Sequence, residues 1–400
     1  MTGNDAAAYG ARLSRPEIVC AYPITPQSQI PEKLAAFHGR GELKGQFVNV
    51  ESEMAALGYV TGAAIAGVRV FTATSSQGLA WMHEGLHWAA GARLPIVLVN
   101  VNRPLGAPWN LTCDQTDSLS QRDTGWIQFY CESNQEILDT VIQAYRISET
   151  LSLPSMVCLD GVYLSYLSET VNIPDQEMVD HYLPPLNPSF RIEGGGWKLY
   201  DILPPELDPH AGNFMEDRYD LHKRETKSLA TAIQCDQEFE LIFGRSYPPV
   251  ETYCCEDADM ILVMSGSAVG TARDVIDRIR EEGHRVGLVK IKMFRPFPKD
   301  LLREKLAGIK KVAVIERDLS PGQCGIFCQE LKWALCGSED PVEIFGFVSG
   351  LGGADITPEL IMKAIQYVMA SDQCTQDVIW LGMPKRKNPD EYDGKCITIQ

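Results

Sequence analysis

From Glu17 to about Ser165 the sequence keeps returning to one motif: a short run of apolar residues, a helical stretch, then another apolar run. A strand that is apolar on both sides must be buried on both faces, and strands separated by helices pair in parallel. The chain is therefore restricted to an α/β architecture, a mainly parallel sheet with helices packed on each side. The pattern predicts strands at Ile18–Tyr22, Gln46–Val50, Val68–Thr72, Pro95–Val101 and Ser155–Leu159, and helices at Gln29–His38, Glu53–Ala66, Gly78–Ala90 and Asn134–Leu151. A second unit of the same class begins near Ala258. Its strands are expected at Met260–Met264, Val286–Ile291, Val312–Glu316 and Val342–Phe347, and its helices at Ala268–Glu282, Lys299–Leu306, near Gln329 and at Pro358–Met369. Between the units, residues from about 169 to 225 are rich in proline and contain Gly194-Gly195-Gly196, which reads as a long connection lying over a surface. A helix is expected at Lys227–Phe243. The organisation expected is thus a first domain over 1–225 that includes the connection, a helical linker over 226–257, a second α/β domain over 258–370 and a polar tail over 371–400.

Composition narrows the function. Hydrophobic residues at 45% and charged residues at 22% suit domains with cores of their own. A formal charge of −17 argues against nucleic acid, whose phosphates call for Lys and Arg, and lends nothing to binding an anionic membrane. Met1–Pro16 has no apolar core behind a basic start, so no signal peptide is read there. No apolar run approaches the roughly 18 residues of a membrane helix. A cytoplasmic location follows as the expectation, and thiols stay reduced there, so the twelve cysteines are not read as a disulfide framework. No C-x-x-C occurs. The closest pairs are Cys254-Cys255 and Cys324/Cys328, whereas iron–sulfur ligation needs several thiolates at short fixed spacing. No metal site is read in this chain, and any clusters would belong to another chain.

Four polar segments follow predicted strands, and ligands bind at the carboxyl ends of strands in open α/β sheets. Tyr22-Pro23-Ile24-Thr25-Pro26 fixes its backbone with two prolines around the Thr25 hydroxyl, which could equally serve as a helix N-cap. Val50-Glu51-Ser52-Glu53 places two carboxylates in a first helical turn, where they could be simple dipole partners. The small residues Ala55, Ala56, Gly58, Gly62, Ala63 and Ala64 nevertheless let something pack closely on that helix, which sets Glu53 near a buried interface. Thr72 to Gly78 is a short polar loop holding Ser76 and Gln77, with turn chemistry as the alternative reading. The long loop from Asn102 to Gly125 carries Arg103, Trp109, Asp114, Asp117, Arg122 and Asp123, and a loop of this length in a compact domain is usually functional or disordered. An Arg at a strand's carboxyl end could be structural or could clamp a carboxylate. In the second unit, Gly266-Ser267 could hold a phosphate at a helix N-terminus. It lacks G-x-G-x-x-G spacing, and a tight strand-to-helix turn is the better reading.

Taken together and in order, these segments resemble the α subunit of the pyruvate and related 2-oxoacid:ferredoxin oxidoreductases. The resemblance runs through Ala21–Pro26, Val50–Glu53, Phe71–Gly78, Asn102-Arg103 and Arg122–Gln128, and continues at Phe294-Arg295-Pro296-Phe297-Pro298. It implies a pyrimidine-binding-type domain followed by a transketolase C-terminal-type domain. It also implies thiamine diphosphate shared with a β subunit that holds the diphosphate and Mg²⁺. Consistently, Asp160-Gly161 and Asp393-Gly394 lack the G-D-G and following Asn of such a site. The [4Fe-4S] clusters would sit on γ and δ (ferredoxin-like) subunits or domains, with a ferredoxin or similar carrier as acceptor and coenzyme A as co-substrate. By residue, the resemblance assigns Glu53 to the cofactor's aminopyrimidine nitrogen, Pro23, Ser76 and Gln77 to cofactor contacts, and Thr25 and Arg103 to the substrate carboxylate. Trp109 and Thr112 would then shape the far end of the oxoacid pocket. Gly106 to Asp117 departs from the pyruvate-type pattern: the large aromatic is displaced three places and a His is missing. Pyruvate is the expected acid, with a branched or aromatic 2-oxoacid as the alternative, while Thr25 stands where an oxalate-specific relative carries Arg.

Overall fold

The computed structural model describes residues 1–186, 214–338, 341–383 and 398–399. Two seven-stranded, mainly parallel sheets form the molecule. The first contains β1 (Ile18–Ala21), β2 (Gln46–Asn49), β3 (Val70–Thr74), β4 (Val97–Asn102), β5 (Ile127–Tyr130) and β6 (Ser155–Asp160). Its helices are α1 (Gly3–Leu13), α2 (Gln29–Gly39), α3 (Glu53–Ile65), α4 (Ser76–Trp81), α5 (His83–Gly91), α6 (Thr116–Leu119) and α7 (Asn134–Leu151), followed by α8 (Gln176–Tyr182) and α9 (Phe214–Phe243). The second sheet is built from β7 (Val250–Tyr253), β8 (Met260–Met264), β9 (Val286–Ile291), β11 (Lys311–Glu316), β12 (Glu343–Val348), β13 (Ile379–Leu381) and β14 (Thr398–Ile399). Between β9 and β11 lies β10 (Met293–Arg295), and α10 (Ala268–Glu281), α11 (Lys299–Lys305), α12 (Ile326–Leu335) and α13 (Pro358–Ala370) complete the chain.

Local chemistry sets the helix starts. Ser52 accepts the Ala55 N–H at 3.2 Å to open α3. Ser133 accepts the Glu136 N–H at 3.2 Å, and the Glu136 carboxylate reaches back to the Glu132 N–H at 2.7 Å to open α7. Thr357 caps α13, with Pro358 at a position where its missing N–H costs nothing.

Several elements differ from the sequence expectation. The Ala-rich α1 was not expected, because small residues carry little hydrophobic signal. Ala6, Ala7, Ala8 and Ala11 are buried in one core with α7, and a Cβ on Gly10 would sit 2.7 Å from the Leu138 carbonyl oxygen. β5 was missed because it is four residues long and interrupted by Gln128. The helix expected over Gly78–Ala90 is two, α4 and α5, meeting at Met82. The helix expected from Lys227 starts at Phe214, its polar first turns having read as connection. β7 occupies part of the stretch read as a helical linker, and β13 and β14 add strands to the stretch read as a tail. Residues 187–213, with Gly194–Gly196 and four of the prolines, lie outside the described residues, as do 384–397.

The two units are tied together by chain as well as by core. β10 leaves the second unit and pairs antiparallel with β5 at the edge of the first sheet. That contact brings Phe294 against Tyr130 and Phe327, with ring centroids 6.0 and 4.7 Å away, inside one continuous apolar core. Lys290 inserts between Glu136, Glu132 and Glu251 at 3.0, 3.1 and 3.4 Å, and Arg273 bridges Glu132 and Glu251 at 2.6 and 2.7 Å. The carboxyl edges of both sheets face the loop that follows β4: the Asp160 carboxylate, at the end of β6, accepts from the N–H and hydroxyl of Ser267, at the end of β8.

Candidate active site

The first sheet runs β10-β5-β6-β4-β3-β1-β2, so β4, β3, β1 and β2 are consecutive neighbours and mutually parallel. The four polar segments singled out in the sequence follow these four strands and therefore lie along one carboxyl edge. Hydrogen bonds stitch them to one another. Gln27 Nε2 donates to the Ala73 carbonyl at 2.8 Å, joining the β1 and β3 segments. Ser76 Oγ donates to the Pro104 carbonyl at 2.6 Å, joining β3 to β4. Arg103 Nη1 donates to the Thr25 carbonyl at 2.8 Å, joining β4 to β1.

Glu53 opens α3 and is 6% exposed. Its carboxylate makes no hydrogen bond among the described residues and is held by packing. Gly78 makes that packing possible: a Cβ there would lie 2.7 Å from Glu53 Cγ, 2.8 Å from Glu53 Oε1 and 2.5 Å from Thr74 Oγ1. The Thr74 hydroxyl is itself buried without a partner. Glu51, the other carboxylate of the segment, is exposed. Pro23, Thr25 and Gln77 are exposed around this edge, whereas Ser76 is fully buried at φ +51° with its hydroxyl committed to Pro104. On α3 the face holding Gly58 and Gly62 is open, with nothing within 4 Å of a Cβ at either position.

Arg103 is 4% exposed. Nε donates to the Asn110 carbonyl at 2.9 Å and Nη1 to Thr25, leaving Nη2 without a hydrogen bond among the described residues. Desolvation pulls its basicity down and the nearby Asp117 carboxylate pulls it back up. Trp109 is 79% exposed and stands in the run of exposed residues from Gly106. Thr112, expected to shape the oxoacid pocket, reaches the second domain: its hydroxyl lies within hydrogen-bond reach of both the Asn110 Oδ1 and the Gly352 carbonyl. The loop has to cross from one sheet to the other, and this is where it lands.

Three residues central to the edge were not picked out as such from sequence. Asp117, fully buried, accepts from the N–H groups of Ser76, Ser118 and Arg103 at 2.9, 2.8 and 3.2 Å and from the amides of Asn100 and Asn102 at 3.0 and 2.8 Å. It thereby fixes the Ser76 turn and the Arg103 backbone with one carboxylate, which burial pushes up to about 6. The signal was Asn100 and Asn102 two apart in a buried strand, a pair of amides on one face that needs an acceptor. Asn110 holds Arg103 from the far side. Asp160 supplies the anion at the Gly266-Ser267 turn, a tight strand-to-helix turn whose N–H is answered from within the chain. Among the described residues, no group of three or more His, Cys, Asp or Glu could hold a metal ion, and no helix is long and apolar enough to cross a membrane.

Comparison with known proteins places these observations in a family. Residues 9–239 match the model described as pyruvate flavodoxin/ferredoxin oxidoreductase, thiamine diphosphate-binding, and residues 258–361 match pyruvate:ferredoxin oxidoreductase core domain II. The chain is 43% identical to the ketoisovalerate oxidoreductase subunit VorA of Pyrococcus horikoshii over 95% of this chain and 96% of that one. It is 42% identical to the pyruvate synthase subunit PorA of Methanothermobacter thermautotrophicus, over 96% and 97% of the two chains. Among solved structures, the 2-oxoglutarate:ferredoxin oxidoreductase of Magnetococcus marinus superposes with a TM-score of 0.71 at 24% identity, covering 92% of this chain and 65% of that one.

Proposed function

Because this chain belongs to the pyruvate flavodoxin/ferredoxin oxidoreductase family, we propose that it is the α subunit of a multi-subunit 2-oxoacid:ferredoxin oxidoreductase with Glu53 as its catalytic acid. The reaction is oxidative decarboxylation of a 2-oxoacid with coenzyme A to acyl-CoA and CO₂, or the reverse. The [4Fe-4S] clusters on γ and δ partners would pass the electrons to a ferredoxin or similar carrier, and the complex would act in the cytoplasm.

The observation that carries this reading is the state of Glu53: a buried carboxylate with no hydrogen-bond partner, set against a glycine at the carboxyl edge of the sheet. Such a group is free to take a partner in the working enzyme. The residues present fit the aminopyrimidine end of thiamine diphosphate: an unpaired acid, an unpartnered Thr74 hydroxyl behind it, and the exposed Pro23 and Gln77 beside it. Ser76 contributes by shaping the turn. The cofactor, its diphosphate and Mg²⁺ held by a β subunit, supplies the carbon nucleophile and the electron sink. Glu53 holds and returns a proton at the pyrimidine ring nitrogen. Arg103, with Nη2 unspent, and the Thr25 hydroxyl bind the substrate carboxylate. The open Gly58/Gly62 face of α3 is where the β subunit covers the site.

The test is Glu53→Gln in the assembled complex. Turnover falls about 10²–10⁴-fold, the usual contribution of a positioned acid–base group, while the urea unfolding midpoint of the chain stays put. Turnover within about threefold of the wild type overturns the assignment. Pyruvate is the proposed substrate. A branched 2-oxoacid is the second reading, favoured by the 43% identity to a ketoisovalerate oxidoreductase subunit and by the exposed stretch at Trp109. The ratio of kcat/KM for pyruvate to that for 2-oxoisovalerate decides between them.

A further inference from the structure

We propose that Asn110 is a positioning residue, through which a glycine turn of the second domain aims the Arg103 guanidinium; the proposal rests on the reading of Arg103 as the carboxylate clamp. Arg103 reaches its place from the end of β4 with two of its donors fixed by backbone carbonyls, Thr25 at 2.8 Å and Asn110 at 2.9 Å. Thr25 belongs to a segment already tied into the sheet edge. Asn110 does not: the residues before it, Gly106 to Trp109, are exposed, so nothing on that side holds its carbonyl in position.

What holds Asn110 is the second domain. Its Nδ2 donates to the Gly352 carbonyl at 2.8 Å, and its Oδ1 accepts from the Thr112 N–H at 2.8 Å and from the Thr112 hydroxyl. The Thr112 hydroxyl is also within reach of the same Gly352 carbonyl. The turn that presents this carbonyl has Gly350, Gly352 and Gly353 at φ +71°, +62° and +77°, the left-handed region in which side chains are strained. Space enforces the same choice. A Cβ on Gly352 would lie 2.6 Å from Asn110 Nδ2, and one on Gly353 would lie 2.3 Å from Thr112 Cβ. The turn is itself anchored, since the Gly353 N–H donates to the Cys113 carbonyl at 2.8 Å and Tyr163 OH donates to the Gly353 carbonyl at 2.9 Å.

The guanidinium of the first domain is therefore wired to the backbone of the second through one amide side chain. Removing that side chain leaves the Asn110 carbonyl in place chemically but unheld, and the fork turns away from the carboxylate it binds. The carboxylate is charged in the bound oxoacid and leaves as CO₂ during the reaction, so the grip that is lost is one made to the bound substrate, and the loss falls on KM rather than on kcat.

The experiment is a double-mutant cycle in the assembled complex, with oxoacid KM and kcat measured for Asn110→Ala, Arg103→Ala and both together. Asn110→Ala is expected to raise KM about tenfold, the scale of a weakened charge-assisted bond, with kcat within about threefold. In the Arg103→Ala background it should add nothing, because coupled residues are not additive. An unchanged KM for Asn110→Ala, or the same factor in both backgrounds, overturns the positioning role while the clamp stands. An unchanged KM for Arg103→Ala overturns the clamp reading and this proposal with it. If Asn110→Ala does not assemble, Asn110→Ser enters the same cycle and is judged by the same outcomes.

Discussion

Gly78→Ala tests the contact on which the Glu53 assignment depends without touching Glu53. The added methyl would lie 2.7 Å from Glu53 Cγ and 2.5 Å from Thr74 Oγ1. An ordinary carbon–carbon contact is about 3.6 Å, so relieving the first overlap moves Cγ by about 0.9 Å. Thr74 is β-branched, sits at the end of a fully buried strand and has little freedom to turn. Glu53 is longer and its carboxylate has no hydrogen bond to break, so it is the group that yields. A displacement near 1 Å at a reacting group costs roughly 10²-fold in rate, whereas a rigid overpacked site would cost about 1–3 kcal/mol in stability. The expected result is a fall in kcat of about a hundredfold with a stability loss near the lower end, about 1 kcal/mol. The assay pairs oxoacid-dependent reduction of a low-potential acceptor by the assembled complex with urea unfolding of the chain. Gly270→Ala is the control, since a Cβ there meets nothing within 4 Å and the helix of the second domain should gain about 0.5–1 kcal/mol. Full kcat in Gly78→Ala, whatever its stability, would refute the reasoning.

Arg103→Lys should raise the oxoacid KM nearly as much as Arg103→Ala, because one ammonium cannot reach the Thr25 and Asn110 carbonyls and still offer a fork to a carboxylate; a normal KM for the Lys variant would make Arg103 structural. Lys290→Met should destabilise the chain by roughly 3–5 kcal/mol in urea unfolding, since it takes the close cation from the fully buried Glu136, while Arg273 still holds Glu132 and Glu251; a loss below about 1 kcal/mol would show that the network contributes little. The pH dependence of that unfolding should also be informative. Burial pushes Asp318 up to about 7 and Asp117 up to about 6, while both release protons near 4 when unfolded. The folded state then binds more protons between pH 4 and 7, so these groups lower stability as pH rises through that window and add no slope above it. Asp318→Asn should flatten the fall between pH 5 and 7, and an unchanged slope would show that its carboxyl is not the source.

The parallel frame was legible because burial on both faces leaves short apolar runs, here alternating with helical stretches. The helix Asn134–Leu151 and the strands Met260–Met264 and Val286–Ile291 lie where the pattern put them. What stayed hidden has small, short or long-range determinants. α1 packs through alanines and glycines, β5 is four residues long, and β10 belongs in sequence to the second unit but in space to the first sheet. In the site, Glu53, Arg103 and Thr25 stood out because each is a chemically distinctive residue at the end of a strand. Asp117 and Asn110 did not, because their importance comes from the groups they face. Asp117 gathers five donors from three segments, and Asn110 meets a carbonyl some 240 residues away in the chain.

The same distinction separates reaction from substrate choice. The residues proposed to grip a generic 2-oxoacid are pinned: Arg103 by two carbonyls, its backbone by Asp117, the Glu53 carboxylate by Gly78. The residues next along the chain, Gly106 to Trp109, are exposed, although they start three positions beyond the clamp. A pocket that tells a methyl from an isopropyl group must be closed and apolar, and one methylene is worth only about 1–3 kcal/mol there. On the proposed function this chain supplies one wall of such a pocket, and closing it takes either the loop folding inward or the β subunit proposed to cover α3. Discrimination of that size needs few contacts, so relatives named for pyruvate and for ketoisovalerate can stand at 42% and 43% identity to the same chain. Overall similarity records the pinned machinery, and on the proposed reading the choice of acid rests on the loop that follows Arg103 and on what closes over it.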